Sequence, residues 1–551
     1  MTSFHIHLAE ARHWHYFDLG ERRLWLAGPY AETHGQVVAK RAADVQEGGI
    51  SDWLDGLDGH FGLILVTPEW LLAAVDPVRS IPILWSMADG ELHLSQCGME
   101  LVEVLGLGPS DIDAKQALAF AQGGFTIGAA TLYDRVKPLM PGQYLVWHQG
   151  DGAPRTEHYH FWRPFQPSNV PYQDLIQPLS ALHHRLIEDL IRSAQGRTIV
   201  APLSAGLDSR MIVSGLAAAG YRNVLCVAYG QPENREAKAS RQIAARLGYP
   251  WEFVAYDLRR VREGFFNADH QRFWRYSDSL TAVPFTQDYL AMAELRRRGH
   301  LPPDAILVNG QSGDFTSGNH VPASLFQPLD AAPEERAQRI VKALMHKHFK
   351  HWQNLEFGQH AKVISELLIE EISKLGLAAL PPEADHGVYE FCEFNDRQSK
   401  YVINGQRCYE SLGLSWRLPL WDRANLDFWE KAPLATKIQQ KLYREVLSHD
   451  NWGGVWDDIP INALSVRPGW LKPVRWLARA LHAPLGRKRW HRFEKQYFDY
   501  FMAPLCSYAP WTYRRVASDR RGFRSPFAWY AADYLERKGL RWDGISTAQA
   551  V

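Results

Sequence analysis

Short apolar runs alternate with helix-periodic stretches along much of this chain, and several of the runs end in turns of small residues. Thr198-Ile199-Val200-Ala201-Pro202, Leu225-Cys226-Val227-Ala228-Tyr229-Gly230 and Ala305-Ile306-Leu307-Val308 each have the length and composition of a buried strand. Helix-like sequence lies around them: Leu175 to Arg192 ahead of the first, Met211 to Ala217 after it, and Arg241 to Gly248 after the second. Strands separated by helices predict a parallel α/β sheet with its site in the loops at the strand C-termini. Upstream, Leu57 to Val66 alternates small and apolar residues in strand fashion and precedes Leu71 to Trp85. Residues 330–400 carry helical periodicity at Ala343-Leu344 and from Val363-Ile364 through Leu367-Leu368, a helical addition.

The turn after the first run reads Leu203-Ser204-Ala205-Gly206-Leu207-Asp208-Ser209-Arg210. A strand, a tight turn of small residues and a helix start place N–H groups and hydroxyls around a phosphate-sized space. No GxxxxGKS/T string occurs in the chain, so a lysine-based grip on a transferred γ-phosphoryl group is not expected. The loop carries an acid, Asp208, which suits a site that holds Mg²⁺ on departing pyrophosphate.

At these residues the sequence resembles the PP-loop ATP pyrophosphatases, whose signature is S-G-G-x-D-S, with Ala205 standing where the first glycine is usual. Alanine fits there if its φ is negative or the phosphate is not pressed against Cα. The segment Asn309-Gly310-Gln311-Ser312-Gly313-Asp314-Phe315-Thr316-Ser317-Gly318-Asn319-His320 resembles S-G-E-G-A-D-E-L-F-G-G-Y of the asparagine synthetase family. The resemblance implies that Asp208 and Asp314 are paired Mg²⁺ ligands, and that Leu203, Ser204, Ala205, Gly206, Leu207 and Ser209 cradle the ATP phosphates. It further implies that Tyr229 and Gly230 receive adenine, and that Asn309 and Gly310 lie against the nucleotide.

Other segments keep the family pattern only in part. Arg417, Pro419 and Asp422 keep register with R-x-S-M-A-H-x-L-E-V-R-V-P-F-L-D, a region that shapes the acceptor pocket in aspartate-using members, but Ser415 replaces its glutamate and S-M-A-H is lost. Family glutamates are replaced by Gln311 and Phe315, so general-base work must come from elsewhere or the amine must arrive unprotonated. Near Lys437 to Glu445 the chain resembles K-x-x-L-R-E. The family lysine slot falls on Gln440, and Lys441, one place on, is taken as the catalytic lysine.

The first 162 residues resemble a class II glutamine amidotransferase domain, an αββα sandwich of the Ntn type, through Asp58-Gly59-His60-Phe61-Gly62, the strand Leu71 to Trp85, and Leu139 to Leu145. Such glutaminases use an N-terminal cysteine whose own amine is the base. This chain begins Met1-Thr2-Ser3-Phe4 and has no counterpart of the glutamine-gripping segments between residues 20 and 57. Thr2 could serve as nucleophile only after loss of Met1, and the domain is expected to be a scaffold without amidase activity.

Balanced charge, 61 basic against 61 acidic residues, gives no reason to expect nucleic acid as a partner. Five scattered cysteines without C-x-x-C pairing imply reduced thiols, and no leader or membrane-length apolar span is apparent, so the expected location is cytoplasmic. His5 and His7, His13 and His15, and His158 and His160 are each two apart, which on a strand puts both rings on one face. With no third ligand at a metal-site spacing nearby, they read as solvated strand faces.

The last hundred residues lie outside the matched motifs. Arg467-Pro468-Gly469 breaks the chain before Trp470 to Leu481, where Val474, Leu477, Ala478 and Leu481 share a helical face, and Arg487-Lys488-Arg489-Trp490-His491-Arg492 follows. The expected arrangement is a helix packed on the α/β domain with its arginines in water. The alternative is a basic amphipathic helix on an anionic membrane surface, which would suit an enzyme acting on a lipid-linked glycan.

Together these features predict an α/β protein: an N-terminal αββα unit over 1–162, a parallel-sheet, adenine nucleotide α-hydrolase-like unit over 172–450 with helical additions, and a helical extension over 451–551. The expected activity is an ATP- and Mg²⁺-dependent, AMP-forming amide ligase that adenylates a carboxylate, either a sugar acid or a peptide rather than aspartate, and passes it to an amine or ammonia. Two alternatives stand beside it: asparagine synthesis from ammonia or a partner glutaminase, and a catalytically degenerate nucleotide-binding protein.

Overall fold

A computed structural model describes residues 4–8, 13–166, 169–232, 234–461 and 468–542; Thr2 and Arg467 lie outside the described residues. The N-terminal half contains two sheets. One is antiparallel throughout, in the spatial order Arg155–His158, Gln143–His148, Trp70–Val75, Gly62–Val66, Arg22–Ala27, Trp14–Leu19. The other runs Phe4–His7, Glu91–Ser95, Leu84–Ala88, Lys137–Pro138.

Strand alternation explains why the sheets stack. Along Trp70–Val75, Leu71, Ala73 and Val75 face the second sheet at Leu92 and Leu94, while Trp70, Leu72 and Ala74 face Ala31, Val38, Ile50 and Leu54. Those last four residues lie on helices Pro29–Ala42 and Ile50–Asp55. Beyond the second sheet, Leu84 packs with Leu101, Leu118 and Phe120 of helices Gly98–Val104 and Ala114–Gly123. The layers are therefore α, β, β, α, as the sequence predicts.

A five-stranded sheet follows, parallel at every pairing, in the order Trp251–Ala255, Val224–Gly230, Ile199–Pro202, Ile306–Val308, Ser415–Arg417. The chain leaves the central strand Ile199–Pro202 toward one edge and returns on its other side, so strand order reverses between Ile199–Pro202 and Ile306–Val308. Connections diverge there and open a crevice beyond the strand C-termini. The edge strand Ser415–Arg417 carries no strand signal of its own. Arg417 instead pairs with Glu32 at 3.1 Å and bonds Ser193, tying this sheet to the sandwich.

Residues 330–400 are helical as predicted, through Pro333–His348, Gln359–Lys374 and Asp385–Glu393. Phe394–Val402 continues as a wider π-type turn, a local distortion common beside functional sites. The segment after 451 does not stand apart. Its helix Pro526–Arg537 packs on Ala114–Gly123, where the Phe120 and Tyr534 rings stack at 4.7 Å. All five cysteines are buried and unpaired.

His270 sits among the rings of Phe265, Trp274 and Tyr289. Burial first, and the Arg537 charge second, push its imidazole down to about 3. A folded state that prefers neutral histidine keeps that contribution in full above the unfolded value of about 6.5 and loses it as pH falls toward 3. Urea unfolding at stepped pH should show wild type losing stability relative to His270→Gln below pH 6.5 and holding a constant difference above it. A difference independent of pH would contradict this assignment.

Candidate functional site

Two loops meet at the switch point. Strand Ile199–Pro202 runs through 203–207 into helix Asp208–Ala218, and Ile306–Val308 runs through 309–312 into the short helix Gly313–Thr316. The loops touch through backbone. A Cβ on Gly310 would lie 2.6 Å from the Ser209 nitrogen, and one on Gly313 would lie 2.6 Å from Asp208 Oδ1. At Gly310, where the contact is with backbone, only glycine fits unless a loop moves, while at Gly313 the Asp208 and Leu420 side chains would have to shift. Ser312, with φ 74°, holds the left-handed turn before the short helix, and its hydroxyl donates to Gln398 Oε1 at 3.1 Å.

This approach brings the acids together. The Asp314 N–H donates to Asp208 Oδ2 at 3.0 Å, and the Tyr443 hydroxyl donates to Asp208 Oδ1 at 3.1 Å. Burial, reinforced by the neighbouring Asp314 charge, pushes the Asp208 carboxyl up to about 8. Burial acts the same way on Asp314, but the His320 hydrogen bond and charge, at 3.2 Å, outweigh it and hold that carboxyl below its ordinary value. His320 is in turn raised to about 9, because Glu393 on its other nitrogen overcomes the cost of burial. Glu393 also accepts from His348 at 2.9 Å, Tyr389 at 3.1 Å and Gln398 at 2.9 Å.

The acids line an open cavity of about 890 Å³. Among the residues proposed from sequence, Leu203, Ser204, Gly206, Leu207, Asp208, Ser209, Tyr229, Asn309, Gly310 and Asp314 line it. Ala205 and Gly230 do not. Ala205 is fully buried, its φ is not positive, and its carbonyl accepts from Arg210 at 3.1 Å, so the methyl group is tolerated. Gly230 (φ 125°) lies beneath Pro504, whose carbonyl would be 2.9 Å from an added Cβ. Tyr229 stacks on Tyr256 and donates to Asp288, which also accepts from Tyr409 and from Asn309 Nδ2 at 3.3 Å.

Lys441 requires correction. The chain turns sharply at Gln439 and Gln440, both with positive φ, which aims Gln440 into the cavity lining and Lys441 outward. Gln440 donates to Ser317 Oγ at 2.8 Å, while the exposed Lys441 ammonium lies over the Tyr172 ring. Lys437 is no substitute, being buried in an ion pair with Glu390 at 2.8 Å. The cavity cations, among the described residues, are Arg397 and His320. Sequence reasoning singled out neither, nor Asp288, Gln398 or Tyr443. His320 and Tyr443 stood inside matched motifs at positions given no role; Arg397, Asp288 and Gln398 had no local signal.

Phe315, which replaces a family glutamate, is a core residue beside Trp162 and Trp421, and Asp422, in the region resembling the acceptor pocket, caps helix Arg423–Lys431 through the Ala424 N–H; neither lines the cavity. The His5–His7 strand is also not simply a solvated face. Parallel pairing sets His5 opposite His93, and the donor atoms of His5, Glu91 and His93 lie within 4.8 Å of one another, a third ligand that spacing along the chain concealed.

The residues fit a divalent cation between Asp208 and Asp314. Asp314 is balanced by His320, whereas no lysine or arginine pairs with Asp208 among the described residues, and the two carboxylates raise each other's cost of ionisation. Loop 203–209 offers hydroxyls that already form a ring: Ser204 Oγ lies 3.1 Å from Ser209 Oγ and accepts from the Gly206 N–H at 3.0 Å. The Glu236 carboxylate accepts from the Ala205 N–H in the same loop, so at least one loop amide faces an anion.

Fold and site together define an α/β protein with an N-terminal αββα sandwich and a carboxylate-bearing cavity at the switch point of a parallel sheet. No protein-family model matches the chain, and no curated protein matches it. Among solved structures it is similar to the allosteric regulatory enzyme of purine biosynthesis, at 15% identity over 44% of this chain and 61% of that one, with a TM-score of 0.19. It is also similar to glutamine phosphoribosylpyrophosphate (PRPP) amidotransferase from B. subtilis complexed with ADP and GMP, at 12% identity over 60% and 74% of the two chains, with a TM-score of 0.18. The chain thus spans less than two thirds of the first of these.

The glycine contact generates a stability test. Gly310→Ala should cost about 1–3 kcal/mol in urea unfolding, because the backbone it strikes has no flexible side chain to yield. Gly48→Ala, with nothing within 4 Å of its Cβ, is the control and should be near neutral. Equal effects would remove the close approach as a constraint.

Proposed function

We propose that this protein is an ATP-dependent, AMP-forming amide ligase of the asparagine synthetase-like type. The observation that carries the reading is the meeting of Asp208 and Asp314 across two glycine-bearing loops at the switch point. A carboxylate oxygen of the acceptor attacks the α-phosphorus of ATP, the bond to the bridging oxygen breaks, and pyrophosphate leaves. An amine nitrogen then attacks the acyl carbon and AMP departs, with one proton released from the amine.

Each group has a defined task in this scheme. Ser204, Gly206 and Ser209 hold the pyrophosphate end, Asn309 and Gly310 border the nucleotide, and Tyr229 supplies an aromatic wall for the base. Mg²⁺ bound by Asp208 and Asp314 would supply positive charge where pyrophosphate develops negative charge. His320, kept protonated by Glu393, fixes the Asp314 carboxylate. Arg397 adds a cation at the cavity wall, while the slot of the family lysine is held by Gln440. The cavity volume suits a nucleotide with a second substrate. With Gln311 neutral, the amine must arrive unprotonated or lose its proton to another group, and the loss of S-M-A-H with Ser415 in place of glutamate favours an acceptor other than aspartate. The N-terminal sandwich is an amidotransferase-like scaffold in this reading.

A second reading, a nucleotide-binding protein without turnover, draws on the outward Lys441 and the lysine-free lining among the described residues.

Acceptor-dependent exchange of labelled pyrophosphate into ATP separates the two. With Mg²⁺ and a panel of aspartate, sugar acids and short peptides, one acceptor class should support exchange. Asp208→Asn and Asp314→Asn should each reduce it by roughly 100-fold or more, and His320→Gln by roughly 10- to 100-fold. ATP binding without exchange would favour the second reading. Absence of ATP binding would remove both.

A further inference from the structure

The C-terminal segment carries an amphipathic unit that no other described residue covers. Helices Leu471–His482 and Arg487–Tyr497 form a hairpin through the short turn Ala483–Leu485. Its inner side is a small core of its own: Leu471, Trp490 and Phe498 are buried, and Ala478, Phe493, Phe501 and Met502 pack against them. The expected packing of the 474–481 face on the α/β domain does not occur.

That face points outward. Trp470 is 60% exposed, Val474 52%, Trp476 75%, Leu477 61%, Leu481 70% and Leu485 49%. Five of these, Trp470, Val474, Leu477, Leu481 and Leu485, recur at helical spacing and make one stripe, with Trp476 at its border. Scattered exposed apolar residues need no explanation, but a contiguous stripe of this size marks a surface meant to be covered.

Charge identifies what covers it. Between Pro468 and Phe493 the chain has no Asp or Glu, yet it carries Lys472, Arg475, Arg479, Arg487, Lys488, Arg489 and Arg492 in a protein of zero net charge. Arg475 pairs with Glu494, while Lys472, Arg479, Arg487, Lys488, Arg489 and Arg492 are exposed. Apolar and tryptophan side chains on one stripe, flanked by cations without acids, match the boundary of an anionic bilayer, where the stripe enters the acyl region and the cations meet headgroup phosphates. A nucleic acid would leave the aliphatic stripe in water, and a second copy of the hairpin would oppose like charges.

We propose that this hairpin docks the protein on an anionic lipid surface without crossing it. No helix among the described residues is long and apolar enough to span a membrane. The docking element also reaches the cavity: Glu494, Asp499, Met502, Pro504 and Leu505 line it. The 11-residue helix Arg487–Tyr497 extends about 16 Å, so the basic tip and the cavity wall are one helix apart. The docking proposal stands apart from the ligase reading, and its test does not use turnover.

Co-sedimentation of the full chain with vesicles tests it. Binding is expected to vesicles of 30% phosphatidylglycerol in phosphatidylcholine, and far less to phosphatidylcholine alone. Trp476→Ser/Leu477→Ser/Leu481→Ser should abolish sedimentation while leaving the unfolding midpoint unchanged, because all three side chains are exposed. Arg487→Glu/Lys488→Glu/Arg489→Glu should weaken anionic-vesicle binding by roughly 100-fold or more, and raised salt should weaken it as well. No binding to anionic vesicles, or binding that survives the triple serine change, would overturn the proposal. A dimer seen by light scattering that the serine variant dissociates, with no vesicle binding, would assign the stripe to a second copy instead.

Discussion

Backbone meets backbone where loop 309–313 lies on loop 204–209, and the candidate site depends on that contact. Two adjacent parallel strands deliver the loops, but a side chain at Gly310 would hold them apart, and one at Gly313 would strike the Asp208 carboxylate. With them apart, the Asp314 N–H would not reach Asp208, and the two acids would face solvent separately. The crevice between diverging connections is general to such sheets; the paired carboxylates within it come from these glycines.

The contact has an electrostatic consequence. Asp208, Glu236, Asp288, Asp314, Glu494 and Asp499 line the cavity, against Arg397 and His320. Asp288 is stabilised by two tyrosine hydroxyls and an asparagine amide, and Asp314 by a histidine that Glu393 keeps charged. Asp208 accepts from the Asp314 N–H and the Tyr443 hydroxyl, and burial together with the Asp314 charge outweighs them to raise its carboxyl. A polyphosphate alone would add negative charge to an already acidic lining, so a ligand of that class needs accompanying cations.

Much of the architecture was legible before the structure was known. The three apolar runs at 198, 225 and 305 became adjacent parallel strands because buried parallel strands need apolar residues on both faces. Alternation over 57–66 marked a strand, whereas the sandwich itself was what the resemblance of 1–162 to a class II amidotransferase domain implied. Ser415–Arg417 was read only as a motif, since a three-residue edge strand has too few positions to show a period. Lys441 was misplaced by one residue because two consecutive left-handed residues, invisible in a helical pattern, rotate the chain there. Asp288 joins the site from a segment with no motif, and Tyr443, inside the matched 437–445 stretch but at a position that carried no role, reaches Asp208 over more than two hundred residues.

Sequence by itself determined which segments become strands and helices, where the glycines sit, and which acids end which strands, because these follow from local period, backbone freedom and side-chain chemistry. Tertiary structure alone decided which groups face one another: His320 between Asp314 and Glu393, His93 beside His5, Gln440 inward and Lys441 outward. It also decided that the apolar stripe of the C-terminal hairpin is left uncovered by the described residues, since periodicity says that a face is apolar but not what the folded chain lays against it. Such choices depend on distances between residues far apart in the chain, and no local pattern encodes a distance.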